Sequence, residues 1–91
     1  MNTKLEPFIL RSKKRREILE ILSKERLTPA QIMKRTKMYE SHVSRALKEL
    51  LEKGLIECEN PEERRFRFYI ATDKGKKIFE SVKIILEEIE K

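Results

Sequence analysis

The sequence predicts a mainly α-helical domain that carries a small β-hairpin, an α+β arrangement closed by a long C-terminal helix. Three observations lead there. Apolar residues recur at helical spacing in three stretches, at Ile18-Leu19-Ile21-Leu22, at Val43-Ala46-Leu47-Leu50-Leu51 and at Ile78-Val82-Ile85-Ile89. Between the last two, Arg65-Phe66-Arg67-Phe68-Tyr69-Ile70 switches to alternation with period two. Start and stop residues (Ser12, Thr28, Gly54 and Thr72) bracket these stretches.

In chain order, Pro7-Phe8-Ile9-Leu10 lies in a short arm. Ser12 then caps a first helix that ends near Arg26. Thr28-Pro29-Ala30-Gln31 starts a second. Thr28 accepts from the amide of Gln31, Gln31 reaches back to Thr28, and Pro29 occupies the first helical position, where its missing N–H is harmless. This helix runs to about Thr36. Lys37-Met38-Tyr39 is a tight turn. The third helix follows and ends on Gly54. Leu55 to Glu59 forms a strand, Asn60-Pro61-Glu62-Glu63 a turn and Arg65 to Ile70 the return strand, with Phe66, Phe68 and Ile70 on the core side. Leu27 is placed to add a third strand. Thr72 caps the last helix.

The chain has 91 residues, one domain's worth with a small core. It carries a net charge of +6, and the excess is uneven: residues 1–53 hold 14 Lys/Arg against 7 Asp/Glu, and residues 54–91 hold 8 against 9. The basic first half favours a polyanionic partner. A single cysteine, Cys58, and a single histidine, His42, exclude an internal disulfide and a clustered metal site. No cofactor is expected. No nucleophile-and-base pattern or Gly-rich phosphate loop is present, with only two glycines, so the chain is not read as an enzyme. Without a membrane-length apolar run or a signal-peptide stretch at MNTKLEP, a cytoplasmic location is expected. Amides are confined to Asn2, Gln31 and Asn60 while Lys, Glu and Arg abound, a pattern common in thermophiles.

Two helices joined by a short turn, a helix before them and a hairpin after them make the order of a winged helix-turn-helix. The whole chain, 1–91, is then one unit, with the helix-turn-helix at about 28–53, the wing at about 55–71 and the C-terminal helix at about 73–90. The stretch from Leu10 to Glu57 resembles archaeal and bacterial MarR-type and ArsR-type regulators. It shares Arg15-x-x-Ile18-Leu19, Val43-Ser44-Arg45, and Leu47-x-x-Leu50-x-x-x-Gly54-Leu55-Ile56. The wing, NPEERRFRFYIATDKGKKI, resembles the MarR-type wing from Asn60 to Gly75 without a gap. Asn60 and Glu63 stand where that wing usually has Asp, and Ala71 where it has Leu. Tyr39 replaces the usual Ser cap of the recognition helix, and Lys37 stands where the family's turn commonly has Gly, which implies a left-handed residue at a cost of about 1 kcal/mol. The family's flanking helices are missing at this length, so no small-molecule effector is assigned.

The resemblance implies a sequence-specific transcriptional regulator that binds double-stranded DNA as a homodimer. It also answers an oddity in the third helix, which places cations early and carboxylates late, against its own dipole. A recognition helix enters the major groove by its N-terminal half. Arg45 and Lys48 are the candidates for reading guanine, and Ser41, His42 and Ser44 for single hydrogen bonds. Thr28, Gln31, Lys34, Lys37 and Tyr39 are candidates for supporting contacts, and Arg64, Arg65 and Arg67 for the wing's contact with backbone or minor groove. Ile78, Val82, Ile85, Leu86 and Ile89 are the candidate dimer seam.

Plainer readings stand beside these. Arg45–Glu49 and Lys48–Glu52 have the spacing of surface ion pairs. The run Lys13-Lys14-Arg15-Arg16 reads as a solvated face, and Cys58 as a small buried filler. Two alternative functions are a protein-interaction module of the transcription machinery and a non-specific architectural DNA binder.

Overall fold

The computed structural model describes residues 5–90. Five helices and two strands follow in the order α1 (Glu6–Leu10), α2 (Lys13–Lys24), α3 (Pro29–Thr36), α4 (Glu40–Glu52), β1 (Ile56–Cys58), β2 (Tyr69–Ala71) and α5 (Asp73–Ile89). The mainly helical fold with one antiparallel hairpin is the one the sequence predicts.

Local signals account for most boundaries. The Ser12 hydroxyl accepts from Arg15 N at 3.2 Å and starts α2. At α3 both halves of the capping box form, with Gln31 N to Thr28 Oγ1 at 3.2 Å and Thr28 N to Gln31 Oε1 at 2.9 Å. Lys37 takes φ 60°, the left-handed turn that ends α3. At the end of α4, Gly54 has φ 72°, Leu55 N donates to Leu50 O and Gly54 N to Leu51 O, both at 3.0 Å. These are the paired bonds of a Schellman stop. Thr72 Oγ1 accepts from Gly75 N at 3.0 Å and donates to Gly54 O at 2.7 Å, so one hydroxyl caps α5 and ties it to the end of α4.

Helix α2 runs through the middle of the core. Ile18, Leu19 and Leu22 are fully buried, packed among Val43, Leu47 and Leu50 of α4, Ile32 of α3, Leu55, Ile56 and Val82. Gly75 is required where α5 crosses the chain at Leu55, because a Cβ there would lie 1.9 Å from Leu55 O.

Four expectations need correction. The N-terminal arm is helical: α1 buries Leu5 and Ile9 against α2 and α5. Five residues cannot sustain a helix alone, so tertiary contact makes this one. Leu51 is 38% exposed and does not join the buried face of α4. The return strand is shorter than expected and covered on the other side. Its register pairs Ile56 with Ala71, Glu57 with Ile70 and Cys58 with Tyr69, and the buried side belongs to Ile56 and Ala71 with Tyr69 partly covered. Phe66 is 62% exposed, while Phe68 and Ile70 are half-buried. Alternation specifies which residues share a side, but only packing decides which side is covered. Cys58 is half-buried, its Sγ 3.8 Å from Asn60 Oδ1. Leu27 does join the hairpin, through a single bridge with Tyr69 N donating to Leu27 O at 2.8 Å and Leu27 N to Tyr69 O at 3.0 Å.

Candidate nucleic-acid interface

The three-residue turn 37–39 sets α4 against α3, and the buried stripe Val43-Ala46-Leu47-Leu50 fixes which side of α4 looks outward. Ser41, Ser44, Arg45 and Lys48 are exposed on that side. His42 is half-buried, its ring edge-on to that of Tyr39 at 6.0 Å, and Tyr39 is 77% exposed at the head of the helix. The Tyr39 side chain makes no capping bond to α4.

Neither expected ion pair within α4 forms among the described residues. Glu49 is taken instead by Arg15 of α2, whose Nε donates to Oε1 at 3.0 Å and Nη2 to Oε2 at 3.2 Å. This forked, charge-assisted pair holds the Glu49 carboxyl below its ordinary range. The Arg15 hydrogen bond is the main cause, partial burial opposes it, and the charges of Arg15 and Arg45 add to the lowering. Arg15 also donates from Nη1 to Phe8 O at 2.8 Å and lies 4.1 Å above the Phe8 ring. Arg16 Nη1 donates to Leu10 O at 3.1 Å. Two members of the run read as a solvated face therefore fasten the last carbonyls of α1. Their partners lie in another element, and spacing along the chain carries no sign of that.

Of the supporting residues, Thr28 is buried at 8% exposure and its hydroxyl is committed to the capping box, so it is a structural residue and not an open contact. Gln31 uses Oε1 in the same box but is exposed, beside Lys34 in a shallow groove with Leu27 and Arg35. Lys34 and Lys37 are exposed. Lys14, which the sequence reading did not single out, shares a groove with His42 and Arg45.

In the wing, Asn60 holds the turn from inside: Nδ2 donates to Phe66 O at 2.7 Å and Oδ1 accepts from Phe68 N at 2.8 Å. Arg64, Arg65 and Arg67 are all exposed. Arg67 Nε donates to Glu63 O at 2.7 Å, whereas Arg64 and Arg65 form no ion pair among the described residues. Arg26 pairs with Glu59 at 3.3 Å and lies 4.7 Å above the Phe68 ring, which removes one carboxylate from the hairpin's acidic excess.

The candidate dimer residues divide. Val82 is fully buried within its own chain and is a core residue. Ile78, Ile85 and Leu86 are half-buried, and Ile89 is 71% exposed. Among the described residues no group of His, Cys, Asp and Glu could hold a metal ion, and no helix is long and apolar enough to cross a membrane.

This geometry has relatives. The family model described as the HVO_A0261 N-terminal domain matches residues 5–91. The chain belongs to that family. Its fold is the winged helix of MarR-type regulators. It is similar to the MarR family transcription regulator SP03579, with 31% identity and a TM-score of 0.77 over 92% of this chain and 59% of that one. It is similar to Staphylococcus aureus MarR in complex with salicylate and kanamycin, with 27% identity and a TM-score of 0.79 over 96% and 62%. BldR from Sulfolobus solfataricus shares the fold, with 22% identity and a TM-score of 0.79 over 94% and 63%. The chain thus spans about three-fifths of the length of these regulators. No curated protein matches it.

Proposed function

We propose that this member of the HVO_A0261 N-terminal domain family is a sequence-specific transcriptional regulator that binds double-stranded DNA as a homodimer. Helix α4 lies in the major groove, Arg45 and Lys48 read guanine, and Ser41, His42 and Ser44 contribute single bonds. Gln31, Lys34, Lys37 and Tyr39 contact the flanking backbone, and Arg64, Arg65 and Arg67 bring the wing to the backbone or the adjacent minor groove. One observation carries the reading. Among the described residues Arg45 and Lys48 on the outward side of α4 make no ion pair, and the carboxylate one turn beyond Arg45 is held by Arg15.

The dimer uses the outer part of α5. Ile78, Ile85 and Leu86 are incompletely covered and Ile89 is 71% exposed, apolar surface that a second copy would cover. A two-fold pairing places the recognition helices about 34 Å apart and selects a palindromic site. Proteins of this fold named as MarR family and MarR regulators support the class, and neither they nor the described residues suggest an enzyme.

Selection of bound duplexes from a random pool tests the reading, with sedimentation equilibrium on the same protein. The expected outcome is an enriched palindrome and a dimer at micromolar concentration. A pool that remains random despite binding would replace this reading with an architectural binder, and absence of binding at low salt would remove DNA as the partner.

A further inference from the structure

The cleft between the first turn of α2 and α4 is lined by Ser12, Lys14, Arg15, His42, Arg45, Ala46 and Glu49, with a volume of about 260 Å³. We propose that it seats one backbone phosphate of the bound duplex, gripped by Lys14, and that Arg15 makes it receptive by cancelling Glu49. The proposal rests on the DNA-binding reading above and extends the interface beyond the helix-turn-helix and wing to a helix outside both.

Charge and position carry the argument. Four ionisable side chains besides His42 face this cleft, and two of them neutralise one another. Arg15 and Glu49 form the forked pair at 3.0 and 3.2 Å. The Ser12 hydroxyl is occupied by Arg15 N. What remains is Lys14 on one wall and Arg45 and His42 on the other, with no ion pair to any of them among the described residues. A lysine in the first turn of a helix stands against the dipole, and an anion held at that point relieves the conflict. Arg45 lies on the rim of the cleft and on the outward side of α4, so a strand whose bases meet α4 brings its phosphates past Lys14.

The run at residues 13–16 is thereby divided by task. Arg15 and Arg16 bind carbonyls of α1, Lys13 faces the groove between α2 and α5, and Lys14 faces the recognition helix. Glu49 would repel a phosphate if left bare, so Arg15 is a positioning residue for DNA as well as a clasp for the fold.

The test is duplex affinity as a function of salt, on a selected sequence and a random one, for wild type, Lys14→Gln, Arg15→Gln, the double variant Arg15→Gln/Glu49→Gln, and Lys24→Gln at the opposite end of α2. Thermal unfolding confirms that each is folded. Lys14→Gln is expected to weaken both duplexes alike and to make the log–log salt slope shallower by about 0.9, the loss of one phosphate contact. Lys24→Gln is expected to leave the slope unchanged. Arg15→Gln is expected to weaken binding, and adding Glu49→Gln is expected to restore it, which a purely structural role for Arg15 would not do. Wild-type binding with an unchanged slope in Lys14→Gln overturns the phosphate seat and leaves the DNA reading standing. A double variant as weak as Arg15→Gln overturns the role of Arg15. A wild type that does not bind duplex overturns both readings.

Discussion

Two clusters of cations in this molecule have opposite fates. At the start of α2, Arg15 and Arg16 are spent on the protein itself, one on Glu49, Phe8 O and the Phe8 ring, the other on Leu10 O. On the outer side of α4 and in the wing, Arg45, Lys48, Arg64 and Arg65 are exposed and make no ion pair among the described residues. The difference is one of surroundings. Helix α1 ends beside α2 with carbonyl groups that lack helical partners, and a guanidinium satisfies them. Among the described residues nothing folds over the outer side of α4. Arg15 and Arg16 should therefore be read out first in stability, with Arg15 reaching binding only through Glu49, and the exposed cations in binding alone.

The largest effect expected on the first cluster is from Arg15→Ala. It removes three hydrogen bonds and a ring contact at a half-buried position, and should lower unfolding stability by about 1–3 kcal/mol, measured by urea denaturation. Arg45→Ala is the counterpart. Its stability should stay within about 0.5 kcal/mol of wild type, while affinity for the selected site falls by about 1–3 kcal/mol and preference relaxes at one base step. If Arg45→Ala unfolds the domain, or if it leaves the base preference intact, the contrast between the clusters fails.

Arg65→Ala should weaken selected and random duplexes equally, with a salt slope shallower by about 0.9 and no change in base preference, as titrations at several salt concentrations would reveal. A pH titration reaches the first cluster by another route. The Glu49 carboxyl is lowered from its ordinary value of 4.5 by Arg15, so the clasp contributes stability above that value and loses it as pH falls through the folded one. The melting temperature of wild type should therefore drop more steeply than that of Glu49→Gln on acidification below about 4.5. The smallest effect is at Lys37, where φ is 60°. Lys37→Gly should raise stability by up to about 1 kcal/mol by relieving the left-handed strain, and should cost some DNA affinity through the lost charge.

The parts of the fold legible in advance were those that a few neighbouring residues settle. Ser12, the pair Thr28 and Gln31, and Thr72 each cap the helix expected of them, and Gly54 stops α4. Such bonds span three to five residues, so the order of types along the chain carries them. Within the candidate interface, the same local logic separated the outward residues Ser41, Ser44, Arg45 and Lys48 from the buried stripe of α4. It failed at Thr28, whose cap buries it, and at Val82, which the chain covers by itself.

By itself, then, the sequence determined the succession of helices, the hairpin and the caps, because helical periodicity and terminal hydrogen bonds act over one or two turns. Tertiary structure decided the rest. It made a helix of residues 6–10 by burying Ile9, turned Tyr69 and Ala71 inward in place of Phe66, and drew Glu49 away from Arg45 to Arg15, 34 positions distant. Each of those outcomes depends on which surfaces meet, and a contact between distant segments has no period along the chain to announce it.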